Sequence, residues 1–198
     1  MSTMRAKRAV QTREQILNVA RRMFAEMGYA AASTGDIARI AGVGTRGALY
    51  HHFADKPALF AAVFEEALKE LTIRHVDPVV GQPATGMERL RRMIESFLDS
   101  SLDPVMRQIV LIDGPAVLGW ERFREIGAAY GLGNIRILID EGVRDGSVRP
   151  VAADALAHLL LVSCEEAALY IGNANNPAVA KTDVVAAIDA FLDGVRAG

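Results

Sequence analysis

At 198 residues, 51% apolar and with a formal net charge of −2, the chain can bury a real core as one large domain or two small ones. No run of about 18 apolar residues argues for a membrane span, Met1 to Arg8 lack the apolar stretch of a secretory signal, and the lone Cys164 excludes an intrachain disulfide and suits a reducing cytoplasm. Residues 1–56 hold nine Lys/Arg against four Asp/Glu and residues 57–198 thirteen against twenty, so a +5 head precedes a −7 body, the pattern of a polyanion-binding part beside one that does not bind nucleic acid.

In chain order, Thr12-Arg13-Glu14-Gln15 has the form of a capping box. Ile16, Leu17, Ala20, Met23, Phe24 and Met27 follow at helical spacing, and Gly28-Tyr29 closes that helix. Ser33, with Asp36 three residues on, predicts an N-cap and a helix from Thr34. Ile37 and Ile40 are expected to face a small core, with Ala38 and Ala41 allowing close approach. Gly42 suits a left-handed helix end, and Val43 plugs the corner. Thr45 caps a second helix whose first turn is Arg46, Gly47 and Ala48 and which carries Leu49, Tyr50 and Phe53. Two helices joined by such a turn form a helix-turn-helix, whose second helix can enter a DNA major groove. Asp55 then caps another helix, with Pro57 in its first turn.

These residues resemble the TetR family of one-component regulators. The family pattern runs from an F-x-x-x-G-[YF] helix end through a Ser/Thr-capped I-A-x-x-A-G-V helix to G-x-L-Y-x-H-F and a nearby lysine. It is met by Phe24, Gly28-Tyr29, Ser33-Thr34, Ile37-Ala38, Ala41-Gly42-Val43, Gly47, Leu49-Tyr50, His52-Phe53 and Lys56, about a quarter of the chain. The family places one Ser, Thr or Gly between A-G-V and the following x-G-x-L-Y, whereas two residues stand here. Thr45 aligns with the usual cap and Gly44 is an extra turn residue that bears on the angle of the recognition helix. The run from Pro115 through Trp120 to Phe123 and a tail of two long helices look like those of some members.

Strand signals are nearly absent, and helical periodicity broken by Pro and Gly predicts an all-α body. Pro57–His75 reads as one helix with a wide apolar stripe, a candidate linker, and residues 77–85 as a loop. Leu90–Leu98 and a short Val105–Ile112 helix follow, the latter ending near Asp113-Gly114-Pro115. A longer pattern spans Trp120–Val143, with a bend expected around Gly131–Gly133. Two final helices cover about Ala152–Ile171 and Ala178–Arg196. The expected fold is all-α, of about nine helices: a helix-turn-helix domain over 1–56 and a helical effector-binding and dimerisation domain over 57–198.

The candidate DNA-binding residues are Ser33, Thr34, Thr45, Arg46, Gly47, Ala48, Tyr50, His51, His52 and Lys56. The resemblance implies a phosphate contact for Tyr50, whose phenol can also be a core group. Lys56 can meet a phosphate or stand free in solvent, and Arg46 can read guanine or touch phosphate alone. The resemblance also implies a pocket in the body, for which Met93, Phe97, Met106, Ile109, Trp120, Phe123, Tyr130 and Ser163 are candidates against their reading as plain core. Tyr130, Ser163 and His158 are its possible polar anchors. A homodimer is expected through Leu156, Leu160, Ala167, Val184, Ile188, Phe191, Leu192 and Val195.

His51 and His52 point about 100° apart on a helix and do not share a metal ion. No phosphate loop, metal-ligand spacing or Gly-x-Ser-x-Gly elbow is present, so neither enzyme activity nor a cofactor is expected. The expected function is a transcriptional regulator, a repressor, binding a double-stranded palindromic operator as a homodimer and released by a small lipophilic or aromatic effector. The rival is a helical protein-interaction module that uses the motif only for packing.

Overall fold

The computed structural model describes residues 2–75, 78 and 83–197. Its helices are α1 (Ser2–Ala31), α2 (Thr34–Ile40), α3 (Arg46–Tyr50), α4 (Lys56–His75), α5 (Gly86–Asp99), α6 (Gly114–Gly127), α7 (Gly133–Asp145), α8 (Ala153–Asn173) and α9 (Pro177–Asp193). Among the described residues the only strand-like pairing is an isolated bridge between Val148 and Arg196. The loop expected at 77–85 lies partly outside the described residues.

Two helix limits differ from the sequence reading. Thr12 starts nothing, because α1 already runs from Ser2; the residues upstream are mostly good helix formers and contain no stop. The break at Gly28 is as expected, with φ 78° and ψ 164°. The Val105–Asp113 segment is wound as a π-helix and continues through Gly114 and Pro115 into α6, up to a kink at Gly119 (φ 71°). A proline is tolerated there because the change of winding already interrupts the regular i→i−4 ladder. The bend expected near Gly131–Gly133 is a second π turn, Ala128–Leu132, which separates α6 from α7.

The chain forms two compact units, and they do not divide at residue 56. The first comprises residues 1–67 and 104–123, the second residues 68–103 and 124–198. Aromatic packing explains the first. Phe60 meets Phe24 and Tyr29 edge to face (5.3 and 5.2 Å), Phe24 and Tyr29 lie tilted at 35° with centroids 5.7 Å apart, and Phe64 bridges Phe60 (6.4 Å) to Phe123 (5.7 Å). Such pairs contribute about 0.5–1.5 kcal/mol each beyond the area they bury. The early half of α4 and the 104–123 segment therefore belong with α1. Asp55 caps α4 as expected, its Oδ1 accepting from Ala58 N at 2.7 Å.

In the second unit α5 crosses α7 at very short range. A Cβ on Gly86 would lie 2.5 Å from Gly142 Cα and 2.8 Å from Leu138 O. The start of α5 carries a full capping box, Thr85 with Glu88. Its next donors go to the end of α7: Gly86 N to Asp145 Oδ2 at 2.6 Å and Met87 N to Ser147 Oγ at 3.2 Å. Arg89 pairs with Glu141 at 2.6 Å, and Arg91 ties α5 to Asp189 and Asp193 of α9. His75, buried at the end of α4, engages Ser96 Oγ with Nδ1 (2.7 Å) and Ser100 Oγ with Nε2 (2.6 Å). Burial, helped by the nearby Arg74 charge, lowers its pKa against the pull of Asp99 and Asp103.

Candidate nucleic-acid interface

The local geometry of the motif follows from its caps. Ser33 Oγ accepts from Gly35 N (3.2 Å) and Asp36 N (3.5 Å), which starts α2. The reciprocal half of the box is absent, since Asp36 instead pairs with Arg39 at 3.0 Å. Ile37 is fully buried, but Ile40 is exposed and Ala41 takes the core position. Val43 N closes the turn onto Ala38 O at 3.0 Å. Both Gly42 (φ 72°) and Gly44 (φ 79°) are left-handed, so the extra residue is absorbed by a second glycine that adopts this region at little cost. Thr45 Oγ1 accepts from Ala48 N at 3.2 Å and caps α3, as expected.

The ten expected DNA-binding residues divide by what their side chains already do. Arg46, Gly47 and His51 are exposed, and Ala48, Tyr50 and His52 half-buried. Ser33 and Thr45 are exposed but committed to caps. Thr34 is buried, and its hydroxyl lies 3.4 Å from Tyr50 OH, where it helps to position that phenol. Arg46 Nε and Nη2 both donate to Tyr50 OH at 3.1 Å, with the guanidinium 5.4 Å from the ring centroid. Two donors on one phenol oxygen leave its own proton for Thr34 or for an incoming acceptor. The hydrogen bonds of Thr34 and then Arg46 lower the phenol pKa, which makes it a stronger donor.

Lys56 does not stand free in solvent. Its Nζ donates to Tyr29 O at 2.5 Å and to Ala30 O at 3.5 Å, and sits 4.2 Å from the Tyr29 ring centroid. It satisfies carbonyls at the end of α1 and fixes the start of α4 against them. Desolvation lowers its pKa, opposed by Asp113 and Tyr50. Two contributors were missed by sequence reasoning. Asp113 Oδ2 accepts from Tyr29 N at 2.7 Å, 84 residues away. Arg13 holds its guanidinium 5.1 Å from the Phe53 centroid, just beyond α3.

Residues 16–63 match the family described as bacterial regulatory proteins, tetR family, and residues 87–195 match the tetracyclin repressor-like C-terminal domain. The chain belongs to the TetR family. The regulator is similar to a TetR-family transcriptional regulator from Pectobacterium atrosepticum, 33% identical with a TM-score of 0.81 over 96% of each chain. It is 26% identical to the Transposon Tn10 TetC protein of Escherichia coli over 181 residues, 91% of this chain and 90% of that one. It shares its fold with AibR, whose structure holds isovaleryl coenzyme A and operator DNA: 20% identity, TM-score 0.66, 89% of this chain and 97% of the other. The α2–α3 pair of this TetR-family regulator is thus a DNA-binding helix-turn-helix, with Arg46 at the exposed start of α3 and the half-buried Tyr50 one turn on, at its end.

The eight candidate pocket residues of the regulator fall four in each unit. Met106, Ile109 and Phe123 are buried in the first, and Trp120 there is 67% exposed. In the second, Met93 is buried, Phe97 and Tyr130 half-buried, and Ser163 exposed with its hydroxyl donating to Leu159 O at 2.7 Å. His158 is exposed too. Trp120, Ser163 and His158 therefore do not line an enclosed site within their own units. A polar pair the sequence reading overlooked, Arg124 Nη2 and Glu165 Oε2 at 3.5 Å, lies half-buried beside α8. Burial raises the Glu165 pKa, partly offset by Arg124.

The expected dimer residues divide likewise. Leu156, Leu160 and Leu192 are in the chain's own core, Ala167, Val184, Ile188 and Val195 are half-buried, and Phe191 alone is exposed. The outward face of α8 and α9 instead shows Leu159, Val162, Tyr170, Val179 and Phe191. This face explains why α8, against the sequence expectation, reaches a mean hydropathy of 1.4 over an 18-residue window: its apolar residues serve the core on one side and an uncovered stripe on the other.

Proposed function

We propose that this regulator is a repressor that binds a palindromic operator as a homodimer and releases it when a small apolar effector occupies the body. The observation that carries the DNA-binding role is α3 itself, where Thr45 caps the helix and Arg46, its first residue, and Tyr50, its last, present one joined donor set. Two such helices related by a two-fold axis read two half-sites. The uncovered apolar stripe of Leu159, Val162, Tyr170, Val179 and Phe191 supports a self-complementary contact through α8 and α9. AibR, caught with both an acyl coenzyme A and its operator, supports effector control on this fold. The apolar makeup of the body favours an uncharged or weakly charged aromatic or lipophilic molecule. A tenfold loss of operator affinity requires about 1.4 kcal/mol of preference for the non-binding arrangement.

Selection of duplexes from a random pool, repeated with aromatic and acyl compounds present, tests the whole reading. The expected result is one enriched palindrome whose retention falls with at least one compound class. An enriched single half-site would overturn the dimer, and no enrichment would favour a protein-interaction module. Within the motif, Arg46→Ala and Tyr50→Phe are each expected to weaken operator binding. Because the two share their hydrogen bonds, the double variant is expected to lose little beyond the worse single one. Strictly additive losses in fluorescence anisotropy would show that the pair does not act as a unit.

A further inference from the structure

Arg46 is the exposed first residue of α3, and no carboxylate among the described residues pairs with it. Its side chain is nevertheless held. Nε and Nη2 both donate to Tyr50 OH at 3.1 Å, one turn on, and the guanidinium stands 5.4 Å from the ring centroid. Those two donors share one edge of the planar group, so the other edge, Nη1 with the second N–H of Nη2, stays unengaged. On the phenol side the count closes. An oxygen that accepts twice has no lone pair left, so the contact with the buried Thr34 hydroxyl at 3.4 Å takes its one proton. While it holds Arg46 in this way, Tyr50 has nothing left to offer a phosphate. A long side chain already fixed by two bonds also loses less freedom when it binds. Gly47 and Ala48, which follow, put no bulk between the helix start and a base edge.

We propose that Arg46 reads a guanine through this free edge, and that Tyr50, steadied by Thr34, is a positioning residue that aims it rather than a phosphate ligand. The inference rests on the DNA-binding reading above and assigns a base that α3 recognises. Guanine presents two acceptors, O6 and N7, side by side in the major groove, and an arginine fork meets both at once. No other base edge offers that pair, and a lysine ammonium has no fork to match it. The first turn of a recognition helix is the part that reaches base edges.

The test measures wild type, Arg46→Lys and Tyr50→Phe on the duplex enriched by selection and on duplexes with each half-site position changed in turn, over a range of salt. Wild type is expected to favour G·C at one position of each half-site by about tenfold or more over any other pair. Arg46→Lys keeps the charge, so the salt slope is expected to hold while that one preference disappears and the others stay. Tyr50→Phe is expected to weaken the same preference by about fivefold, the worth of one ordinary hydrogen bond, and to leave the rest unchanged. An Arg46→Lys variant that preserves every base preference would overturn the guanine contact and leave the DNA-binding reading standing, as would a selected half-site with no favoured G·C pair. A Tyr50→Phe variant that weakens all duplexes by one common factor would overturn the positioning role and return the phenol to a phosphate. Wild type that binds none of the duplexes would overturn the DNA-binding reading itself. Arg46 is exposed, so the lysine variant tests the guanine contact without disturbing the core.

Discussion

Alanine at Gly86 is expected to lower the stability of the protein by about 3 kcal/mol, the upper range for forcing an extra carbon into a filled site. The added carbon would meet the backbone of α7 at Gly142 and the Leu138 carbonyl, and backbone cannot swing aside as a flexible side chain can. For a chain of this size that loss corresponds to a fall of about 6–12 °C in Tm. Gly127→Ala is the matched control. It lies in helical backbone with nothing within 4 Å of the new carbon, so helix propensity predicts no loss and a gain of up to about 1 kcal/mol. Thermal unfolding followed by circular dichroism checks both. Equal melting for Gly86→Ala and wild type would show that the α5–α7 crossing is not that close.

The second large effect concerns assembly. Leu159→Glu combined with Phe191→Glu is expected to convert a dimer to folded monomers and to abolish binding to a palindromic operator. Both residues face outward in the chain, at 59% and 46% exposure, so the fold of one chain has little to lose. A dimer would place the new carboxylates in an apolar contact, which costs several kcal/mol if they stay charged and weakens association by at least about a hundredfold. Leu192→Glu gives the contrast. That side chain is fully buried, so the expected outcome is unfolding rather than clean dissociation. Light scattering during size exclusion reads the mass of each variant. A wild-type mass of one chain at micromolar concentration would refute the dimer.

The pair Leu159 and Leu160, like Phe191 and Leu192, shows what the sequence could and could not tell. Neighbours on a helix point about 100° apart, so a helix that is apolar on two sides has two stripes and no mark saying which serves its own core. The sequence reading assigned Phe191 together with Leu156, Leu160 and Leu192 to the partner surface, and of these four only Phe191 faces outward in the chain. The motif itself was far more legible. Its caps are local hydrogen bonds between residues two or three apart, and Ser33, Gly42 and Thr45 each did what their chemistry predicts. Arg46 and Tyr50 stand at i and i+4, a spacing that announces contact, although the third member, Thr34, reaches them only through the fold. Tyr29 and Asp113 carry no local trace of one another. The π windings at 105–113 and 128–132 also escaped notice, because their apolar spacing imitates an ordinary helix.

The discontinuous first unit has a consequence for how the protein is made. Residues 1–67 complete their packing with residues 104–123, through Phe64 on Phe123 and Asp113 on Tyr29. A ribosome adds about 5–20 residues per second, so the helix-turn-helix leaves the tunnel roughly 3–11 s before the segment that finishes it. During that interval Phe60 and Phe64 lack part of their cover and stand open to chaperones. The DNA-binding head is therefore mature only after more than half of the chain has been translated.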